Sequence, residues 1–408
     1  MNELKKINLC RKAILFLIPS NFRDKLRRIF FEEFRRLFLL DYLRNLGLLT
    51  CKNYIGVNFA NAELYFNKNY RKIEIQKIFE ADKIMPAMYI EGENLEDIQS
   101  FTATTETVLV NISDTKFSFR NNHLIDKDLN VIGEFRTDKL HKIRPLSICY
   151  QILSKPIELR GTIAYLSDPS PTNYYHWMCR VLPLLKIYQD FCNLREIDFF
   201  YVGKFSFSSF HQESLQQIEI PINKVIQESC SADRLLMAIS NRAIDVNDPI
   251  NRKSYHFSRD IFYREFNGDS GKNELRIYVT RGMVARRKII NEAQVIDLLK
   301  KYGFKAVAMD DKTIQEQADL FSQAEVIVAA HGAALTNLLF ISPDTKVIEL
   351  MPYGYVNNCF YVLASHGKAD YFCLQSEKPG YSPEGDSRFF DLHINIQKLD
   401  KICKMINL

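Results

Sequence analysis

Residues 324–350, AEVIVAAHGAALTNLLFISPDTKVIEL, decide the fold. An apolar run, Val326–Ala330, stops at His331-Gly332; a helix-forming segment with Thr336 and Asn337 follows, and a second apolar run closes on Glu349. That order is strand, tight glycine turn, helix, strand. A strand that feeds a helix through glycine aims unpaired backbone N–H groups and the positive end of a helix dipole at one spot, where a phosphate is favoured. Gly332, Ala333, Thr336 and Asn337 are therefore candidate contacts for an anionic ligand.

Working outward, the same rhythm fills the carboxy-terminal third. Leu275–Thr280, Lys305–Met309, Glu325–Ala330, Lys346–Met351 and Asp370–Leu374 read as strands, with helices at Asn291–Tyr302, Thr313–Gln323, Gly332–Phe340 and Cys359–Ser365. Thr313 with Glu316, and Asn291 with Gln294, have capping-box spacing. This is an α/β, doubly wound pattern, whose ligands gather at the carboxyl ends of the strands. A similar alternation begins at Gly161, where a strand leads through SDPSPTN into the helix YYHWMCRVLPLLKIYQDF. Positions 51–165 read mostly as short strands, and the Gly/Asp/Ser cluster within 245–272 as a hinge.

At 408 residues the chain is long enough for two domains. The expected division is a basic helical extension over 1–50, an amino-terminal domain over 51–265 and a carboxy-terminal domain over 266–408. Nine cysteines without a CxxC pair indicate reduced, buried thiols and a cytoplasmic setting. No run reaches the ~20 apolar residues of a membrane-spanning helix.

Charge is concentrated. The first 50 residues hold eleven Lys/Arg and five Asp/Glu, an excess larger than the formal net charge of +5 for the whole chain. Phe30, Phe34, Leu37 and Phe38 fall on one helical face with arginines around it, as in helices that lie on anionic membrane surfaces. A helix docked on its own domain with a solvated basic face has the same pattern. The rest of the chain is balanced and has no basic-aromatic stripe, which argues against nucleic acid.

The second informative segment is IYVTRGMVARRKIINE, 277–292. Arg281, Arg286 and Arg287 follow a strand end, and a guanidinium is a planar, always-charged fork that fits phosphate oxygens. Asp310-Asp311 imitates the paired acids of a metal site, but Thr313 opens a capped helix directly after it and no second acidic pair supports it. No metal and no cofactor are expected.

YVTR, ARR, NE, QEQADLF, HGAALTNLLF and VIEL, in that order, resemble the pattern of glycosyltransferase family 61, and NYYHWMCRVLPLL is similar to the HW segment of that family. The resemblance covers roughly residues 160–375. It implies two Rossmann-like domains of GT-B type and an inverting, metal-independent transfer from a nucleotide sugar. Bacterial relatives of this kind build capsule or lipopolysaccharide, so the implied acceptor is a glycan or lipid-linked glycan at the inner face of the plasma membrane. It points to Arg281, His331, Gly332, Asn337 and Glu349 around the donor, and to His176 and Trp177 in the cleft. Glu349 suits either ribose or sugar hydroxyls or a neighbouring arginine, and Trp177 suits either a sugar ring or the domain junction. The family often has an acid four residues after the HW histidine; here Arg180 stands there. His176 is then the leading base for the acceptor hydroxyl, with Asp168 in reserve. A catalytically silent relative that binds the nucleotide sugar or scaffolds an assembly is the alternative, as is a polysaccharide pyruvyltransferase.

Overall fold

Two β-sheets enclose a shared layer of helices. The computed structural model describes residues 54–56, 65, 73–92, 101–113, 117–120, 123–126, 129–133, 155–168, 170–240, 250–263, 275–281, 286–378 and 387–408. The basic extension over 1–50 and the Gly/Asp/Ser cluster expected as a hinge lie outside the described residues.

The first sheet is mixed. β2 (Ile73–Ile84) and β4 (Phe101–Ser113) are antiparallel along all of β2, and β4 is antiparallel to β11 (Cys230–Ser240). Beyond β11 the sheet turns parallel, through β8 (Ile157–Tyr165), β9 (Phe199–Tyr201) and β10 (Val225–Ile226). On the opposite side Cys230 of β11 meets β5 (Ser118–Arg120), which carries β6 (His123–Ile125), β7 (Val131–Gly133) and β1 (Tyr54–Gly56). Only the β8–β10 part follows the parallel βαβ rule expected from Gly161 onward. The preceding segment forms two strands of 12 and 13 residues beside the expected short ones.

The second sheet is parallel throughout, in the order β13 (Lys305–Val307), β12 (Leu275–Val279), β14 (Ala324–Ala330), β15 (Lys346–Met351), β16 (Asp370–Gln375) and β3 (Tyr89–Glu91). Counted from β12, five of the strands lie in the order 2-1-3-4-5, so the strand order reverses between β12 and β14. The crevice outside that reversal is where open α/β sheets hold ligands. The edge strand β3 comes from the amino-terminal half, which ties the two halves together.

The helices are numbered along the chain. α1 runs from Tyr174 to Phe191 as Tyr174–His176, a π turn over Trp177–Val181, and Leu182–Phe191. Pro183 explains the π turn: it has no N–H for the carbonyl four residues back, and its ring crowds that carbonyl. The helix instead closes from Leu182 N–H to Trp177 O. α2 is Ser209–Gln217, α3 Arg252–Asp260, α4 Glu292–Lys301, α5 Ile314–Ser322, α6 Cys359–His366 and α7 Ile396–Met405.

Alternation along the strands assigns their faces. Val326, Val328, Ile348 and Leu350 pack under α4 and α7. Ile327, Ala329, Val347 and Met351 face α5 and α6, in a cluster that continues through α1 into Ala164, Leu236 and Ala238 of the first sheet. One core therefore serves both sheets. Thr313 and Glu316 form the expected capping box at α5, whose first N–H, Ile314, is also held by Glu213 of α2. Asn291 departs from expectation: its side chain clamps the backbone of Ile394 and leaves α4 without a side-chain cap. Among the described residues no helix is long and apolar enough to cross a membrane, and the six cysteines are all free, five of them buried.

Candidate active site

The reversal between β12 and β14 puts Arg281 and His331 side by side at strand carboxyl ends. Arg281 is fixed locally. Its N–H donates to Glu292 Oε1 (3.2 Å), which also accepts from Tyr278 (2.8 Å). Its guanidinium donates to the carbonyls of Arg287 (3.2 Å) and Arg286 (2.9 Å) and lies across Gly332, where an added Cβ would collide with Nη1. Glycine at 332 is needed for that close approach and not for its φ, which is extended.

Arg287 takes a positive φ of 56°, unusual for a side-chain-bearing residue, and reaches the His331 carbonyl with Nη1 at 2.8 Å. Its Nε is buried without a hydrogen-bond partner. Among the described residues neither Arg281 nor Arg287 has a carboxylate within ion-pair distance. Burial, and then the charge of Arg287, lower the Arg281 pKa; burial is also the main cause of the lowered Arg287 pKa. Two crowded cations whose acceptors are backbone carbonyls form a site that an anion would stabilise. The Arg286 guanidinium lies 4.2 Å from the Phe389 ring centre, and its charge also acts on Arg287.

His331 is buried with Nδ1 at 2.5 Å from Glu349 Oε1, while the other Glu349 oxygen accepts from Tyr371 at 2.6 Å. Glu349 is fully buried. Each of its oxygens has a partner within the protein, and among the described residues no arginine lies within ion-pair distance of it; the contact it makes is with a histidine. The ring nitrogen left to His331 is Nε2. Burial, followed by the neighbouring Glu349 charge, pushes the Tyr371 phenol far above its ordinary range, which keeps it a donor.

The glycine turn itself differs from the expected cradle. Residues Ala333–Phe340 form a 3-10 helix whose first bond runs from Leu335 N–H to Gly332 O at 2.9 Å. Ala333, half-buried, has no intrahelical acceptor for its N–H. Thr336 and Asn337 are fully buried. Asn337 accepts from Tyr174 of α1 (2.9 Å) and donates to Gln317 of α5 (2.6 Å) and to Ala334 O (3.0 Å). It fastens the turn to α1. Arg259 of α3 holds the other end of the 3-10 helix through Ile341 O at 2.7 Å.

Across from this site stands the start of α1. Asn173 caps it, accepting from the N–H groups of Tyr175 and His176. His176 Nδ1–H donates to Asp168 Oδ1 at 2.6 Å, and Ser170 N–H donates to the same oxygen at 2.8 Å. Burial alone would raise the Asp168 pKa, but the His176 hydrogen bond and charge and the Arg180 charge prevail and hold it below the usual range. Asp168 is thus an ionised partner that holds the His176 ring through Nδ1, so that Nε2 is the nitrogen not used in this contact. The two expected base candidates are one unit.

Trp177 is fully buried, with Nε1 donating to Ser214 at 2.7 Å and the His211 ring at 4.6 Å. Of its two expected settings it takes the packed one. Phe360 of α6 joins the halves of the site, 5.5 Å from the Tyr175 ring and 4.9 Å from that of His331. Asp310 and Asp311 lie in the turn before α5, and among the described residues no three His, Cys, Asp or Glu side chains are grouped to hold a metal. Asn173, Glu292, Phe360 and Tyr371 were missed in the sequence; only Asn173, directly ahead of the helix it caps, left a local signal.

The stretch from α1 to β15 is the part of the chain that a family model matches. Residues 174–348 match the family model Glycosyltransferase 61. This family segment contains His176, Arg281, Arg287 and His331; Asp168 and Glu349 flank it. The mouse protein O-linked-mannose beta-1,4-N-acetylglucosaminyltransferase 2 is 36% identical over 71 residues, 17% of this chain and 12% of that protein. The rice beta-1,2-xylosyltransferase XYXT1 is 28% identical over 101 residues, 24% of this chain and 21% of its own length. The chain therefore spans about a fifth or less of the relatives it matches, all within a glycosyltransferase context.

Proposed function

We propose that the chain is an inverting glycosyltransferase that takes a sugar from a nucleotide donor without a metal ion. The diphosphate sits on Arg281 and Arg287, with His331 Nε2 beside it and the Ala333 amide as a further donor. As an acceptor hydroxyl attacks the anomeric carbon, His176 Nε2 takes its proton. The bond from that carbon to the diphosphate oxygen breaks on the opposite face, and the two guanidiniums stabilise the negative charge that leaves. A glycan or lipid-linked glycan precursor at a surface-assembly site is the acceptor, and residues 1–50 hold the enzyme near it.

The observation that carries this reading is the pair of arginines at the sheet reversal, neither in an ion pair among the described residues, inside the segment that matches the family. The oriented Asp168–His176 pair favours catalysis over a silent, binding-only protein. The test is release of nucleoside diphosphate from a panel of nucleotide sugars, beginning with activated N-acetylglucosamine and xylose, the sugars in the relatives' names. Release that is lost in Arg281→Ala supports the proposal. No release from any donor, with unchanged nucleotide affinity in Arg281→Ala, overturns it.

A further inference from the structure

Arg180 stands four residues after His176, where the family resemblance leads us to expect an acid, and its surroundings give the arginine a physical meaning. The π turn contains Arg180, and its Nη1 stands 4.0 Å from Asp168 Oδ2, the oxygen that His176 does not use. The three side chains are nearly buried, with 12% of Asp168, 17% of Arg180 and 19% of His176 exposed. The Tyr175 ring lies 5.9 Å from the guanidinium. From α6 the titratable group facing Arg180 is the Cys359 thiol, which burial and then Glu349 push far up, so that it stays neutral. The charges that act most on Asp168 are those of His176 and then Arg180.

We infer that Arg180 is a positioning residue: as counter-ion to Asp168 it keeps that carboxylate ionised and turned toward His176. The inference rests on the reading of His176 as the base. A nearly buried carboxylate that hydrogen-bonds a histidine is otherwise prone to take up a proton, and a protonated pair cannot accept one from the acceptor hydroxyl. A cation at 4.0 Å on the far oxygen favours the ionised, proton-poor pair. An acid at position 180 would do the reverse. In this chain Arg180 is thus support for the base at 176 and not a missing base.

The experiment is the pH dependence of kcat/KM for donor hydrolysis by the full chain, comparing wild type with Arg180→Gln and Arg180→Lys. Without the cation the acidic limb should move to higher pH by about one unit, with donor KM within about twofold of wild type. Arg180→Lys should restore the limb, which a purely structural loss would not. A glutamine variant whose limb coincides with that of wild type overturns the inference. So does a donor KM raised tenfold over an unmoved limb, since that assigns Arg180 to the diphosphate. If Arg180→Gln does not fold, Arg180→Met and Arg180→Lys carry the same comparison. His176→Ala in the same assay keeps the two ideas apart: full activity there removes the base itself, whatever Arg180 does.

Discussion

Glu349 Oε1 lies 2.5 Å from His331 Nδ1, and both residues are buried at the carboxyl ends of adjacent parallel strands. The strand-end carboxylate serves the histidine, and Tyr371 serves the carboxylate. Removing one member of a buried charged or hydrogen-bonded pair typically costs about 3–5 kcal/mol. Glu349→Ala is therefore expected to lower the urea midpoint strongly, and Glu349→Gln, which can still accept from Tyr371, less so. An alanine variant that unfolds at the wild-type midpoint would show that the pair does not support the fold.

Gly332→Ala should separate binding from folding. The added Cβ meets the end of the Arg281 side chain, which can swing away without disturbing the sheet. Unfolding should stay within about 1 kcal/mol of wild type, while affinity for UDP or GDP by calorimetry falls roughly tenfold or more, the worth of a lost charge-assisted contact. Undiminished affinity would place the diphosphate elsewhere.

Asp168 links pH to stability with a definite sign. Its pKa is lower folded than unfolded, because His176 and Arg180 outweigh the effect of burial. Its contribution is thus complete above the unfolded value, near ~3.9, and disappears as pH falls through the folded one. Asp168→Asn should be clearly less stable than wild type at neutral pH, and the gap should close in acid. A gap that persists unchanged at about pH 2 would contradict the ionised Asp168.

The second sheet was legible where its strands are apolar runs bounded by turn signals, as in β14, β15 and β16, because parallel strands buried on both faces need such runs. Strand order was not, since nothing local in Tyr89–Glu91 announces a place beside β16. In the site, Arg281 and His331 could be read because strand ends collect ligands. Tyr174 and Asn337 lie 163 residues apart in sequence, and only the fold joins them. Trp177 carried two readings because its residue type fits both a sugar platform and a core. Its buried bond to Ser214, 37 residues away, decided between them. The π turn was written in Pro183, but its outcome, an arginine beside Asp168, depends on where the 167–173 loop lies.

The central claim is that His176, oriented by Asp168, is the base. The most direct measurement is kcat for donor hydrolysis and transfer by His176→Ala, with nucleotide affinity determined on the same protein. Loss of a general base typically lowers kcat by about 10²–10⁴-fold; a fall of that size with unchanged affinity for UDP or GDP is the expected result. A His176→Ala enzyme that turns over at the wild-type rate would contradict the account.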